Sequence, residues 1–305
     1  MISIVIPAYN EAGNIKAIAD KVSKELQETG SYEIIFVDDG STDSTLHEIK
    51  KVAKNNQFVK YLSFSRNFGH QKAVKAGLDY AEGDCVISMD ADLQHPPELI
   101  NQLIEKWQDG YDIVYTVRKD MQGVGFFKKT TSRIFYKLIN WISDVDIPLG
   151  AADFRLLDNK VVNEIRKFKE NYLFLRGLVS WLGYRQAGIE YAIQNRHAGS
   201  SKYTVRKMIS FAIQGITSFS TMPLRISMLI GFVISFFAFL YMLYALFVKI
   251  YYQTALPGWT SILISVLFLG GIQLMFLGLI GEYLGKMFIE TKNRPSYVIK
   301  EKKLQ

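Results

Sequence analysis

Cysteine is almost absent from this chain of 305 residues, since Cys85 is the only one. A single cysteine excludes a disulfide within the chain, and it excludes a metal site built from several cysteines. Cys85 lies in an apolar run that ends at Met89, so we expect it to be a buried strand residue. The polypeptide must therefore be stabilised by an apolar core, and 305 residues are ample for one.

Charge is missing from two long stretches near the C-terminal end. Residues 226–248 contain no charged side chain, nor do residues 250–281, which Pro257-Gly258 interrupts. At about 1.5 Å per residue, the first stretch makes a helix of roughly 34 Å, which is long enough to cross a bilayer. Since the core helices of a soluble protein do not need such runs, we predict two transmembrane helices, at about 226–248 and 260–281.

Basic residues lie outside this pair of stretches. Arg225 precedes the first, a cluster that begins at Lys286 follows the second, and Lys249 alone lies between them. The positive-inside rule then places both termini in the cytoplasm. The chain starts with an apolar run and has no basic segment before it, so we expect no signal peptide. Small residues recur at helical spacing at Gly278, Gly281 and Gly285. They predict close helix packing, including a homo-oligomer formed through these helices.

The net charge of +7 is compatible with nucleic acid, an anionic membrane or a phosphate-rich substrate. The first half has no basic stripe with interleaved aromatic residues, which argues against nucleic acid. Residues 126–142 combine basic and aromatic side chains in the pattern of an amphipathic helix. Such a helix either lies on a membrane surface or packs on the rest of the domain.

Apolar strands alternate with amphipathic helices over the first half of the chain. We predict strands at residues 2–6, 32–37, 59–63, 85–89 and 113–117, with helices between them. This order predicts an α/β domain over residues 1–215 with a mainly parallel sheet, then a membrane domain over 216–285 and a basic cytoplasmic tail over 286–305. Polar clusters follow four of the strands, where ligands bind in such sheets, so we expect one composite site.

Two of these clusters are acidic. Asp90-Ala91-Asp92 follows the fourth strand, and two carboxylates at a strand end suit Mg²⁺ or Mn²⁺ bound together with substrate phosphates. A solvated turn is the alternative interpretation. Asp39 follows the second strand in a turn without lysine or arginine, which suits a nucleoside better than a phosphate. The alternative there is helix capping by Ser41 and its neighbours.

Three ordered motifs resemble the family 2 inverting glycosyltransferases of GT-A fold, which are Rossmann-like. They are Val5-Ile6-Pro7-Ala8-Tyr9-Asn10-Glu11, Val37-Asp38-Asp39-Gly40-Ser41-Thr42-Asp43 and Asp90-Ala91-Asp92-Leu93-Gln94-His95-Pro96-Pro97-Glu98. The last motif is similar to that of dolichol-phosphate mannosyltransferases and bacterial polyprenyl-phosphate glycosyltransferases, and the two spans resemble the bacterial branch. The resemblance implies that Pro7, Tyr9, Glu11, Val37 and Asp39 hold the nucleoside. It also implies that Asp90, Ala91, Asp92 and Gln94 serve the diphosphate, metal and sugar, with Asp92 as the direct metal ligand.

Five further residues fit this picture. Arg118 ends the fifth strand and can reach a donor phosphate, although it can also be a plain surface cation. Related enzymes often carry an acidic residue near the acceptor at the position of Asp153, where it either orients or deprotonates the acceptor. Arg176, Arg196 and Lys202 are the cations that we assign to the lipid phosphate, with lipid headgroups as the alternative partner for the last two.

The expected function is therefore transfer of a hexose, with UDP-glucose as the expected donor, to polyprenyl (undecaprenyl) phosphate at the bacterial cytoplasmic membrane. An anionic phosphate can attack the anomeric carbon without a strong base, so one displacement inverts that centre. A processive polysaccharide synthase would carry a Gln-x-x-Arg-Trp motif, which the chain lacks. A membrane glycosyltransferase with a hydroxyl acceptor stays open, as does GDP-mannose as donor. A non-enzymatic membrane protein is disfavoured by the intact acidic motifs.

Overall fold

A computed structural model describes residues 1–27, 30–118, 151–171, 174–191, 221–252 and 258–304. Some of the sequence predictions lie outside these ranges. They are the amphipathic helix at 126–142 and the two basic residues Arg196 and Lys202. The side chain of Arg118 is outside the description as well, although its backbone ends a strand.

The five predicted strands and the helices between them are all present. They run in the order β1 (Ile2–Ala8), α1 (Ile15–Leu26), β2 (Tyr32–Asp38), α2 (Thr45–Asn55), β3 (Val59–Phe64), α3 (His70–Tyr80), β4 (Cys85–Ser88), α4 (Leu99–Gln108) and β5 (Ile113–Arg118). Then follow β6 (Ala151–Asp158), α5 (Asn159–Lys167), α6 (Leu175–Trp181), β7 (Gln186–Tyr191), α7 (Met222–Tyr252), α8 (Trp259–Thr291) and β8 (Ile299–Lys303).

Two helices begin later than the sequence predicts. Ser41, Thr42 and Asp43 can each cap a helix, so the sequence predicts a helix over 41–55. The carboxylate of Asp38 instead accepts the Ser41 N–H at 3.1 Å, and the segment stays a turn until Thr45. Proline is favoured in the first turn of a helix, so the sequence predicts that the fourth helix starts at Pro96-Pro97. These prolines instead form the preceding turn, in which the Leu99 N–H donates to the Pro96 carbonyl at 3.1 Å.

The sheet has the strand order β7-β5-β6-β4-β1-β2-β3-β8. The pairs β1–β2, β1–β4, β2–β3 and β5–β7 are parallel, as the sequence predicts for most of the sheet. Strand β6 was not predicted, and it runs antiparallel between β4 and β5. The sheet is therefore mixed. Inside it, β6 pairs antiparallel with β4, so residues of β6 lie beside the end of β4.

Two apolar layers hold this sheet between its helices. One layer packs α1 and α4 on one face, with fully buried residues such as Ile4, Ile18 and Phe36. The other layer packs α3, α5 and α6 on the opposite face around Val5, Leu62 and Val161. Cys85 is fully buried in the first layer, as its apolar run predicts, and burial raises the pKa of its thiol to about 12.

The two uncharged stretches form the long helices α7 and α8. Both are long and apolar enough to cross a membrane, over Met222–Val248 and Ile264–Thr291. Their apolar side chains are exposed in the isolated chain, as Phe232 and Leu274 illustrate at 69% and 71%. Such faces are suited to lipid, and the number of these helices agrees with the two predicted spans.

The segment 286–305, predicted as a basic tail, contains the end of a helix and a strand. Helix α8 continues to Thr291, and strand β8 then pairs antiparallel with β3 at the edge of the sheet. The ring of Tyr297 stacks on Phe64 with centroids 5.1 Å apart. The chain therefore returns from the second apolar helix to the same sheet that it built before the first one.

Candidate active site

The paired carboxylates Asp90 and Asp92 lie just beyond the end of β4. The turn is tight, because Leu93 adopts a positive φ of 59° and the Gln94 N–H donates to the Asp92 carboxylate at 3.2 Å. Asp92 is 9% exposed, while the Asp90 side chain is 32% exposed. Both carboxylates thus belong to one wall of a site at the carboxyl edge of the central strands.

Strand β6 brings Asp153 to this wall. Ser88 pairs with Arg155 in the antiparallel register of β4 and β6, so Asp90, two residues after Ser88, and Asp153, two residues before Arg155, lie at the same end of this strand pair. The Ser88 hydroxyl also donates to the Asp153 carbonyl at 2.7 Å. The predicted acceptor-side carboxylate therefore lies beside the predicted donor-side pair.

Arg176, from the start of α6, forms a bidentate ion pair with Asp153. Its Nε and one terminal nitrogen donate to the two carboxylate oxygens at 2.7 Å and 2.8 Å. Burial favours the neutral acid, but the guanidinium beside it holds the pKa of Asp153 well below its usual range. A predicted lipid-phosphate ligand and the predicted acceptor-side acid are thus direct partners.

His70 is a site residue that the sequence reasoning missed. Its Nε2 atom lies 2.8 Å from Oδ1 of Asp90. Burial works against the charged imidazole, yet the carboxylates of Asp90 and Asp153 raise the pKa of His70 to about 9. In turn, burial works against the Asp90 carboxylate, but His95 and His70 lower its pKa to about 2. The signal was available, because His70 follows strand β3 and thus lies at the same sheet edge as the other polar clusters.

The residues predicted to hold the nucleoside lie at the ends of β1 and β2. Asp39 accepts hydrogen bonds from the Phe68 and Gly69 N–H groups, the first at 2.7 Å, and thereby ties the end of β2 to the start of α3. Burial raises the pKa of the Asp39 carboxyl. Pro7 and Val37 are paired in the sheet and buried.

Tyr9 and Glu11 are half-buried in the loop after β1. The Glu11 N–H donates to the Thr45 hydroxyl at 2.8 Å, and the Glu11 carboxylate accepts from the Asn14 side chain at 2.7 Å. This loop therefore rests on the turn that carries Asp39. Contact of these residues with a nucleoside stays a prediction, as do the assignments of Ala91, Gln94 and Arg118 to the donor.

The donor chemistry of the wall fits a divalent cation. Asp90 and Asp92 offer hard carboxylate oxygens from positions two residues apart, with Asp90 partly open to solvent. Within the described ranges, no group of three or more histidine, cysteine or acidic residues converges in the manner of an all-protein metal cage. Two carboxylates completed by water and substrate phosphates are the arrangement typical of Mg²⁺.

A mixed sheet with paired carboxylates at the end of a central strand is the architecture of a GT-A glycosyltransferase. A family model described as glycosyl transferase family 2 matches residues 3–166, which is more than half of the chain. The chain belongs to this family and is a glycosyltransferase. The resemblance inferred from the sequence motifs is thereby confirmed.

Relatives match nearly the whole chain, including the two apolar helices. An uncharacterized glycosyltransferase of Bacillus subtilis (strain 168), YkcC, is 43% identical over 98% of this chain and 93% of its own length. A prophage bactoprenol glucosyl transferase homolog of Escherichia coli (strain K12) is 45% identical over 99% of both chains. The aligned region therefore includes the part of this chain that forms the two apolar helices.

A solved structure shows the same fold. Glucosyl-3-phosphoglycerate synthase from Mycobacterium tuberculosis, crystallised with Mn²⁺, UDP and phosphoglyceric acid, is 18% identical and has a TM-score of 0.51. The match covers 71% of this chain and 76% of that one. At such low identity, the similarity establishes the GT-A fold and leaves the substrates of this chain to be argued from its own site.

Proposed function

We propose that this protein transfers a hexose from a nucleotide-sugar, UDP-glucose, to polyprenyl (undecaprenyl) phosphate with inversion at the anomeric carbon. The product is a polyprenyl-phosphate sugar for glycosylation of the cell envelope. One observation carries the proposal: the acidic turn with Asp90 and Asp92 lies at the same end of the β4–β6 strand pair as the ion pair of Asp153 with Arg176. Two apolar helices join this site to a membrane, where a lipid acceptor is found.

The choice of acceptor and sugar is supported by the names of the relatives. The Escherichia coli relative and a protein of Shigella flexneri that is 44% identical over 98% of this chain are both named bactoprenol glucosyl transferases or homologs of them. Bactoprenol is a polyprenol, so the name agrees with a lipid acceptor and with glucose as the transferred sugar. A divalent metal is supported by the carboxylates of Asp90 and Asp92, and the choice of nucleotide is decided by the donor assay below.

On the donor side, Asp92 with Asp90 would hold Mg²⁺ or Mn²⁺. A divalent cation supplies charge neutralisation for the diphosphate that leaves with the nucleoside. Asp39 and the loop that carries Tyr9 and Glu11 would enclose the nucleoside at the neighbouring strand ends. The sugar would then project from the diphosphate toward Asp153, which lies at the same end of the β4–β6 strand pair as Asp90.

On the acceptor side, a phosphate oxygen of the lipid attacks the anomeric carbon on the face opposite the diphosphate. The new bond to the phosphate oxygen forms as the bond to the nucleoside diphosphate breaks, so no covalent enzyme intermediate is required. Asp153 is a weak base because its pKa lies well below the usual range. We therefore assign it an orienting role, in which it presents the Arg176 guanidinium to the acceptor phosphate.

We also propose a location in the bacterial cytoplasmic membrane, with the catalytic domain and both termini in the cytoplasm. The pairing of β8 with β3 supports this topology, since the chain on either side of the two helices contributes to one sheet. Both ends of the helix pair must then lie on the same side of the bilayer. The excess of lysine and arginine around the pair favours the cytoplasmic side.

The test is a transfer assay with membranes that contain the full-length protein. Labelled UDP-glucose, other UDP-sugars and GDP-mannose are each supplied with undecaprenyl phosphate and Mg²⁺ or Mn²⁺. We expect one donor, UDP-glucose, to give a chloroform-soluble labelled product whose sugar is released by mild acid. If no donor labels the lipid while a hydroxyl-bearing glycan is labelled, the lipid-phosphate acceptor is wrong.

A variant pair tests the role of the acidic wall. Asp92→Asn should abolish transfer while the protein still inserts in the membrane and folds, because it removes one of two carboxylates from the donor side. Asp109→Asn is the matched control, since Asp109 forms an exposed ion pair with Lys106 at 3.1 Å outside the site. Full activity of Asp92→Asn would remove the metal from the proposal.

A further inference from the structure

Asp90 is held between two imidazole rings. On one side, His70 Nε2 lies 2.8 Å from Oδ1 of Asp90. On the other side, His95 Nε2 lies 3.8 Å from Oδ2. The Asp90 N–H donates to Nδ1 of His95 at 3.2 Å, so that nitrogen is an acceptor and the His95 hydrogen must be on Nε2, facing the carboxylate. Oδ1 of Asp90 is therefore within hydrogen-bond distance of His70, whereas Oδ2 lies beyond that distance from His95.

The two histidines have different settings. His95 is buried, and its ring stacks on Phe154 with centroids 5.2 Å apart, so its place is fixed by the core. His70 is 39% exposed and lies at the first position of α3, on the open side of the site. Core packing therefore does not explain why the His70 side chain contacts Asp90.

The backbone before His70 is anchored from the donor side of the site. Gly69 has a φ of +103°, and its N–H donates to both oxygens of Asp39, at 3.2 Å and 3.0 Å. Asp39 thus fixes Gly69, the residue that precedes α3, and His70, the next residue, contacts Asp90. Gly69 and His70 therefore connect Asp39, which is predicted to bind the nucleoside, with Asp90, which is predicted to bind the metal and diphosphate.

We propose that His70 is a positioning residue that holds the Asp90 carboxylate in the orientation in which it meets the cation and diphosphate of the donor. This inference rests on the proposed function. A side chain that orients a ligating carboxylate by a hydrogen bond typically affects metal affinity or activity by about 10–100-fold. The hydrogen bond from His70 uses only Oδ1 of Asp90. The Asp90 side chain stays 32% exposed, so its carboxylate can still contact a cation.

The test is binding of Mn²⁺ with UDP, and of Mn²⁺ with GDP, to the full-length protein in detergent by isothermal titration calorimetry. We expect His70→Ala to weaken binding of the preferred Mn²⁺–nucleotide pair by at least ~10-fold. His70→Gln places an amide N–H near the position of Nε2 and should restore binding to within about 3-fold of the wild type. His47→Ala, on the exposed face of α2, is the matched control and should bind as the wild type does.

Kinetics provide the second readout. His70→Ala should raise the donor KM and the Mn²⁺ concentration for half-maximal transfer by ~10-fold or more, with the KM for undecaprenyl phosphate unchanged. Equal affinity of His70→Ala and wild type for the Mn²⁺–nucleotide pair would overturn the inference alone, since transfer by the wild type would persist. An equally weak His70→Gln in a folded protein would also overturn it. Absence of nucleotide binding and transfer in the wild type would overturn the proposed function and the inference together.

Discussion

Tyr297 and Asp79 lie 218 residues apart in the chain, and the Tyr297 hydroxyl donates to the Asp79 carboxylate at 2.9 Å. Asp79 is near the end of α3, and Tyr297 precedes β8. Asp79 also forms an ion pair with Lys75, one turn earlier in the same helix. The segment that leaves the second apolar helix is therefore bonded to the helix whose other end carries His70.

Tyr297→Phe should destabilise the protein by about 0.5–1.5 kcal/mol, the usual net contribution of one hydrogen bond. The ring would keep its stacking on Phe64, so the loss of stability would measure the contribution of the hydroxyl alone. Urea unfolding monitored by circular dichroism on the solubilised protein measures the change. Tyr244→Phe removes a hydroxyl from an exposed position on α7 and should leave stability unchanged. Equal effects of the two variants would contradict the role of the Asp79 contact.

The same tyrosine predicts a dependence of stability on alkaline pH. Burial and the nearby Asp79 carboxylate raise the pKa of Tyr297 above its ordinary value of about 10. The folded state then favours the neutral phenol, so its contribution is complete below about pH 10 and is lost as the pH rises further. The stability difference between wild type and Tyr297→Phe should therefore shrink between about pH 10 and pH 11. A difference that stays constant over this range would show that Tyr297 titrates alike in both states.

The strands that build the parallel part of the sheet were predictable because each is a short apolar run closed by a turn signal. Strand β1 ends in Pro7-Ala8, and all seven of its residues are buried. Strand β8 gives no such signal, since lysine occupies three of its five positions and it reads as a solvated tail. The position of β8 depends on its pairing with β3 and on the contacts of Tyr297 with Phe64 and Asp79. These residues are far away in the chain, so no local sequence pattern predicts the contacts.

The site was predictable where it follows from the topology of a parallel sheet. Asp39 and Asp90 follow the parallel strands β2 and β4, which flank β1, and this placement needs only the order of strands and helices. The juxtaposition of Asp90 and Asp153 needs the antiparallel register of β6, which the sequence does not reveal. The ion pair of Asp153 with Arg176 depends on that register as well, so the sequence alone predicts separate roles for the two residues.

Gly40→Ala should destabilise the turn that carries Asp39. Gly40 has a φ of +65°, and an added Cβ would lie 2.3 Å from the carbonyl carbon of Arg66, in a backbone that cannot give way cheaply. Gly30→Ala is the matched control, since Gly30 has a φ of +90° and no atom within 4 Å of such a Cβ. Chemical denaturation should show Gly40→Ala to be about 1–3 kcal/mol less stable than Gly30→Ala. Similar stabilities would mean that strain at positive φ, and not the contact with Arg66, governs both variants.

The last prediction concerns coupling between Asp153 and Arg176. Asp153→Asn and Arg176→Met should each lower kcat/KM for undecaprenyl phosphate by at least ~10-fold, because each removes half of a bidentate, partly buried ion pair. Since the two side chains act as one unit, the double variant should lose less transition-state free energy than the two single variants together, by about 0.5–3 kcal/mol. Transfer kinetics of the four proteins measure this coupling.

A second cycle on Glu164 and Lys167 serves as its control. That pair has a similar distance of 2.7 Å between its charged atoms, but its side chains are 37% and 67% exposed and it lies on α5. Exposed pairs contribute about 0–1 kcal/mol to stability, and a pair outside the site should not couple in transfer at all. Additive effects of Asp153→Asn and Arg176→Met would contradict a shared role, and would favour separate contacts of the carboxylate and the guanidinium with the acceptor. Strong coupling in the Asp153 pair alone would agree with the orienting role. The guanidinium of Arg176 lowers the pKa of Asp153, and a carboxylate of low pKa is a poor base for proton transfer.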